Sequence, residues 1–259
     1  MRDPRAVPEL VSFPSGNLTL RGFLTRPEGR GPFPAVSWNH GSERQPGSRT
    51  SLAEFYASSG FVFLEPHRRG HGESPGEHFA DGLQARARSE TDDPAAFQRR
   101  VVDLVIELHE LQLRDTIAAL DWLRNQPFVD DSRVVVSGAS YGGIQTVLAG
   151  EEDAGARAYV PFAPAAMAWD SSPALRERLL RAVSEATAPM FLLQAENDYS
   201  LGPSEVLGGE LRRKGPPSRA QIYPAFGGTP QDGHSGFACE GMGVWGADVR
   251  GFLNEVLTA

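Results

Sequence analysis

Three consecutive valines, Val134-Val135-Val136, run almost directly into Gly138-Ala139-Ser140-Tyr141-Gly142. A continuous β-branched run suits a strand covered on both faces, because a half-exposed strand would alternate apolar and polar residues. The glycines mark a tight turn, and Gly142-Gly143 opens a stretch that reads as a helix. Strand, turn and helix in that order predict a mostly parallel sheet, since parallel strands need crossover connections.

The rest of the chain follows the same alternation. Residues 9–13 and 18–25 read as strands joined by Pro14-Ser15-Gly16-Asn17, an N-terminal antiparallel hairpin. Residues 34–39, 61–65, 133–137, 190–195 and 220–223 read as further strands. Helices are expected at 52–59, after Ser140, at 114–125 and at 246–256. The expected fold class is therefore α/β, a mostly parallel sheet with helices on both faces, in a single domain over 1–259. Residues 77–113 form a helical insertion in this reading. Asp92-Asp93 before Pro94 is a helix start. An apolar stripe of Phe97, Val101, Leu104, Val105, Leu108 and Leu111 follows. A packing helix explains the stripe; a border of the active site or a homodimer contact would use it further.

Composition narrows the partners. The formal charge is -8, and an acidic surface repels phosphate backbones, so no nucleic-acid partner is expected. No stretch approaches the ~20 apolar residues that cross a bilayer. MRDPRAVPEL lacks the apolar core of a signal peptide, so the expected location is the cytoplasm. One cysteine, Cys239, allows no intrachain disulfide, and the expectation for it is a small buried hydrophobe.

Two stretches share the pattern Gly-x-Ser-x-Gly: Gly138 to Gly142, and Gly72-Glu73-Ser74-Pro75-Gly76. A nucleophilic serine needs a turn that lifts its hydroxyl clear of the sheet, and small neighbours that let strand and helix approach. It also needs a following backbone N–H for the developing oxyanion. Ser140 meets each demand, with Tyr141 as donor. Ser74 does not, because Pro75 has no N–H.

A serine hydroxyl also needs a base, and histidine suits this near neutral pH. With such a nucleophile turn the acid and then the histidine follow the serine along the chain. Of six histidines only His234 lies beyond Ser140. The acid should leave the strand at 190–195, where Glu196-Asn197-Asp198 follows. Asp198 is preferred because it sits farther into the loop; Glu196 is the alternative, with Asp170 and Asp232 weaker. A second oxyanion donor is expected after the strand at 34–39, from Ser42 N–H, with Gly41 as rival. Trp169 and Tyr199 are candidate pocket walls, as are the stretches 162–169 and 77–113. No metal is expected: His67 and His71 are four apart, but Gly70 and Gly72 argue against a helix aligning them.

Taken together, several segments resemble the dienelactone hydrolase and prolyl oligopeptidase branches of the α/β-hydrolase superfamily. They are Leu18-Thr19-Leu20-Arg21-Gly22 with Pro27, Pro32-Phe33-Pro34-Ala35-Val36 to His40-Gly41, and Arg69-Gly70-His71-Gly72-Glu73-Ser74. Asp121-Trp122-Leu123 with Arg133-Val134, the Ser140 turn through Gly143, Asp198 and Gly233-His234 complete the set. The resemblance implies an α/β-hydrolase fold and a cofactor-free serine hydrolase. Two departures qualify it. Dienelactone hydrolases use a cysteine where this chain has Ser140, and 259 residues leave no room for the propeller of prolyl oligopeptidases. The expected activity is esterase action on a small-molecule ester. The alternatives are a small peptidase or amidase, and a non-catalytic binding protein on a hydrolase fold.

Overall fold

The computed structural model describes residues 8–91 and 93–258. Residues 1–7 of the stretch read above for a leader, and Asp92 of the expected helix start, lie outside the described residues. Among the described residues eight strands form one sheet: β1 (Glu9–Ser15), β2 (Leu18–Thr25), β3 (Phe33–Asn39), β4 (Val62–His67), β5 (Val129–Ala139), β6 (Ala158–Phe162), β7 (Phe191–Ala195) and β8 (Arg219–Tyr223). Their spatial order is β1-β2-β4-β3-β5-β6-β7-β8. β1 pairs antiparallel with β2, and β2 antiparallel with β4. All later pairings are parallel. The chain is thus an α/β fold whose N-terminal hairpin extends a parallel sheet.

The valine run explains why both faces are covered. Val134 and Val136 join one apolar layer and Val135 the other, as the two-residue period of a strand requires. The first layer is closed by α3 (Pro94–Arg124), α4 (Tyr141–Glu151), α5 (Pro173–Glu185) and α6 (Gly202–Lys214). The second is closed by α1 (Thr50–Ser58), α7 (Phe237–Glu240) and α8 (Met242–Thr258). The remaining helix, α2 (Leu83–Glu90), packs against α3.

The structure corrects the expected helix boundaries around the insertion. The stripe from Phe97 and the helix expected at 114–125 are one helix of 31 residues, α3. It starts as anticipated: the Asp93 carboxylate accepts from Ala96 N–H at 2.7 Å, with Pro94 in the first turn. Nothing breaks it at Arg114, because the apolar positions continue on the same face through Leu113, Leu120 and Leu123. Strand β6 and helices α5 and α6 are additions to the sequence reading.

Candidate active site

Ser140 stands at the junction of β5 and α4 with φ 58° and ψ -118°. A serine held there costs on the order of 1–3 kcal/mol, so the surrounding structure must impose it. Its own N–H donates to Phe162 C=O at 3.0 Å, and its C=O accepts from Ile144 N–H at 3.1 Å. The flanking glycines make room for the end of β3. A Cβ on Gly138 would lie 2.6 Å from Asn39 O, and one on Gly142 only 1.9 Å from it. Both contacts are with backbone, which cannot swing aside. Gly142→Ala is expected to destabilise the fold by about 3 kcal/mol, read as a lower urea midpoint.

The loops after β7 and β8 bring Asp198 and His234 together. His234 sits in a single π-helical turn, Asp232–Gly236. Its Nδ1 lies 2.8 Å from Asp198 Oδ1, with the two side chains 2% and 0% exposed. A carboxylate only accepts, so Nδ1 carries a proton, and in the neutral ring Nε2 then has the lone pair. Nε2 is buried and has no hydrogen-bond partner among the described residues. Asn197 staples the two loops. Its amide donates to Phe226 and Thr229 carbonyls at 3.0 and 2.9 Å and accepts from Phe226 N–H at 2.9 Å. Asp232 caps the loop that carries His234 instead of bonding its ring, accepting from Gly228 N–H and from the N–H and hydroxyl of Thr229. Glu196 is exposed.

Sequence reasoning missed Gln194. It is fully buried at the end of β7. Its Nε2 donates to Asp198 Oδ2 at 2.9 Å and to Ser200 O at 2.6 Å, while its Oε1 accepts from Ser204 at 2.7 Å. The signal was a single polar residue within the otherwise apolar Phe191-Leu192-Leu193-Gln194-Ala195. Gln194→Leu removes a charge-assisted hydrogen bond worth about 1.5–3 kcal/mol. The expected result in ester kinetics is a fall in kcat of roughly 10- to 100-fold with KM unchanged.

Ser140 and His234 open onto one cleft of about 460 Å³. Gly41 and Ser42 line it too, and a Cβ on Gly41 would lie 3.7 Å from Ser140 Cβ. Tyr141 begins α4, so its N–H is among the donors that a helix start leaves without intrahelical partners. Met167, exposed, gives the cleft an apolar wall. Glu43 and Arg49 give it a charged one: they form an ion pair, and Arg49 also donates to Cys239 Sγ at 3.0 Å. Cys239 is a buried free thiol, raised to about 11 by burial.

The pocket candidates divide. Tyr199 sits at the rim, edge-on to the His234 ring at 5.5 Å, and its hydroxyl donates to Gln231, which lines the cleft. Trp169 does not line it. It is 3% exposed in the core, packed so closely under α6 that a Cβ on Gly202 would meet its Nε1 at 2.0 Å. Residues 77–113 do not line the cleft either. Their Phe79 and His109 rings pack instead on Tyr141, at 5.1 and 4.4 Å. Ser74 is tied into the loop after β4, donating to His67 O at 2.6 Å and accepting from Arg21 N–H at 2.9 Å.

Five of the six histidines stand apart from this cleft, around the buried Arg68 and Tyr141. His40 and His71 rings are 4.8 Å apart, and His71 and His78 are 4.5 Å apart. His40 Nε2 accepts from Arg68 N–H at 3.3 Å, so His40 is neutral. Burial first, and the Arg68 charge next, hold His40 well below its ordinary value and His71 and His109 at about 3. Burial, the leading cause at each, also lowers His67 and His78. Among the described residues no group of three or more His, Cys, Asp or Glu is placed to hold a metal ion, and no helix is long and apolar enough to cross a membrane.

Residues 18–221 match the family of X-Pro dipeptidyl-peptidases (S15 family). No curated protein matches the sequence significantly. Among solved structures, Pyrococcus horikoshii acylaminoacyl peptidase superposes with a TM-score of 0.64 at 19% identity, over 87% of this chain and 38% of its own. This chain therefore spans well under half of that relative. A Pyrococcus furiosus esterase gives 0.67 at 17% identity, over 97% and 93% of the two chains. Est1E of Butyrivibrio proteoclasticus, with ferulic acid bound, gives 0.67 at 17% identity, over 96% and 100%. At these identities the likeness is one of fold.

Proposed function

The chain belongs to the X-Pro dipeptidyl-peptidase (S15) family, within the α/β-hydrolase superfamily, and from that premise we propose a serine hydrolase that cleaves carboxylic esters through an acyl-enzyme. Ser140, His234 and Asp198 are its triad. The observation that carries the reading is the buried His234–Asp198 pair, 2.8 Å apart, on the same cleft as the strained Ser140. Asp198 holds the imidazole with its proton on Nδ1, so Nε2 is free to take the Ser140 hydroxyl proton as Oγ attacks the acyl carbon. Tyr141 N–H and the N–H of Ser42, or of Gly41, receive the oxyanion. His234 then returns the proton to the leaving alcohol. In the second half-reaction it takes a proton from water as the water oxygen attacks the acyl carbon, and gives that proton to Ser140 Oγ as the acyl–Oγ bond breaks and the acid leaves. No cofactor enters these steps. The substrate is a small-molecule ester.

The ester reading draws support from relatives matched over nearly their whole length, an esterase and a ferulic acid complex. The family's own description and the acylaminoacyl peptidase favour a second reading, a small peptidase or amidase. One panel separates the two: p-nitrophenyl esters beside aminoacyl and X-Pro p-nitroanilides, at equal concentration. Ester turnover with anilides at background is the expected result. Faster anilide turnover would replace the ester reading with the peptidase one, and failure of both, with no fluorophosphonate labelling, would sink the enzyme itself.

A further inference from the structure

We infer that Arg68 is a positioning residue for the oxyanion hole, holding the His40-Gly41-Ser42 backbone from behind so that its amides face the nucleophile. This rests on the serine-hydrolase reading and deepens it. Arg68 follows β4 directly and is 1% exposed. Its Nη1 donates to His40 O at 2.9 Å, its Nη2 to Gly41 O at 2.7 Å, and its Nε to Gln112 Oε1 at 3.1 Å. Two successive peptide carbonyls are therefore held by one planar, rigid group.

The consequence follows from peptide geometry. In a trans peptide the C=O and the next N–H point in opposite directions. Gripping His40 C=O turns Gly41 N–H away from Arg68, and gripping Gly41 C=O turns Ser42 N–H away. Gly41 and Ser42 both line the Ser140 cleft, so both competing donor assignments depend on the same clamp. The guanidinium also stacks on the ring of Tyr141, 4.9 Å from its centroid. Tyr141 supplies the other proposed donor, so one side chain touches both halves of the hole.

Charge adds a second argument. A buried cation ordinarily has an anionic partner, yet no carboxylate is hydrogen-bonded to Arg68 among the described residues. Asp115, an anion that acts on it electrostatically, is chelated by Arg69 through Nε at 2.8 Å and Nη2 at 2.6 Å. The flanking rings of His40, His71 and His109 are neutral. Arg68 thus presents positive charge through two polarised amides to the place where negative charge develops in the tetrahedral intermediate. That charge is absent from the ground-state ester, so the benefit falls on kcat and not on KM.

The test compares wild type, Arg68→Met and Arg68→Lys. Rates are normalised to sites titrated by a fluorophosphonate, so misfolded protein does not count. The expected result for Arg68→Met is a fall in kcat of roughly 100-fold, the usual effect of losing one oxyanion donor, with KM within about threefold. A trifluoromethyl ketone, whose carbonyl becomes an oxyanion when Ser140 Oγ adds and His234 takes the proton, should lose affinity in parallel with kcat/KM. Arg68→Lys keeps the charge but cannot span both carbonyls, and about a 10-fold loss is expected; it carries the test should Arg68→Met not fold. Folded variants that keep kcat and ketone affinity within threefold of wild type would overturn the role of Arg68 alone. A wild type that takes no fluorophosphonate would overturn the serine-hydrolase reading instead.

Discussion

Ser140→Ala is expected to abolish fluorophosphonate labelling and to lower kcat by roughly 10⁶-fold, as removal of a triad serine does, while the urea midpoint stays at or above the wild-type value. Stability should not fall because the hydroxyl makes no capping hydrogen bond to α4 among the described residues, whereas the backbone at φ 58° is strained in either residue. The informative control is Ser74→Ala. Ser74 carries the same Gly-x-Ser-x-Gly pattern, but its hydroxyl is spent on His67 O and Arg21 N–H. Its loss should lower stability by about 1–2 kcal/mol, the cost of a buried group left unpaired, and leave labelling intact. Labelling that survived Ser140→Ala and vanished in Ser74→Ala would reverse the assignment. Intact-protein mass spectrometry after labelling reads both variants in one experiment.

The contrast between the two serines also shows how far the sequence alone could be read. The turn at Ser140 was legible because its demands are local: a β-branched run, two small neighbours, and a residue with an N–H behind the serine. The hairpin was legible for the same reason, since Gly16 turns the chain at φ 58° between two alternating strands. Strand β6 was hidden by Pro161, a residue that argues against an interior strand. Helix α6 was hidden by Gly208 and Gly209, which weaken helix propensity; Gly208 is there because a Cβ would come within 2.8 Å of Ala220 Cβ on β8.

What the sequence could not show were contacts set by the far side of the sheet. Trp169 was a candidate cleft wall, but its ring is buried in the core. Arg68 and Arg69 are neighbours in the sequence, and only the fold separates their partners. Arg69 takes Asp115, and Arg68 takes the two loop carbonyls. The five histidines around Arg68 are scattered over residues 40–109 and share no motif, so nothing local marks them as one cluster.

That cluster should make the protein acid-labile. His40, His67, His71, His78 and His109 are all lowered in the folded chain, with His71 and His109 near 3, while an unfolded histidine titrates at about 6.5. Below that value the unfolded chain binds protons that the folded chain refuses. Their stabilising contribution is complete above about pH 6.5 and is lost as pH falls toward 3. Glu65 acts in the opposite sense. Burial raises it to about 7, so between its ordinary value and 7 the folded chain keeps a proton that the unfolded chain gives up. His71 and His109, each near 3 in the folded chain, outweigh Glu65 and leave a net uptake of about one proton on unfolding near pH 5.5, and the lowered His40, His67 and His78 add to it in the same direction. Each net proton is a slope of about 1.4 kcal/mol per pH unit, appreciable over two pH units against the ordinary total of ~5–15 kcal/mol. Urea midpoints measured from pH 7 to pH 4.5 should fall steeply. His109→Phe isolates one member: both ring nitrogens of His109 lack hydrogen-bond partners among the described residues, and phenylalanine keeps a ring against Tyr141. This variant should be more stable than wild type at pH 5 and should flatten the slope by about one proton, near 1.4 kcal/mol per pH unit. A wild-type midpoint that is level across this range would mean that the histidines are charged in the folded protein. The neutral rings around Arg68, and with them an unshared positive charge behind the oxyanion loop, would then have to be abandoned.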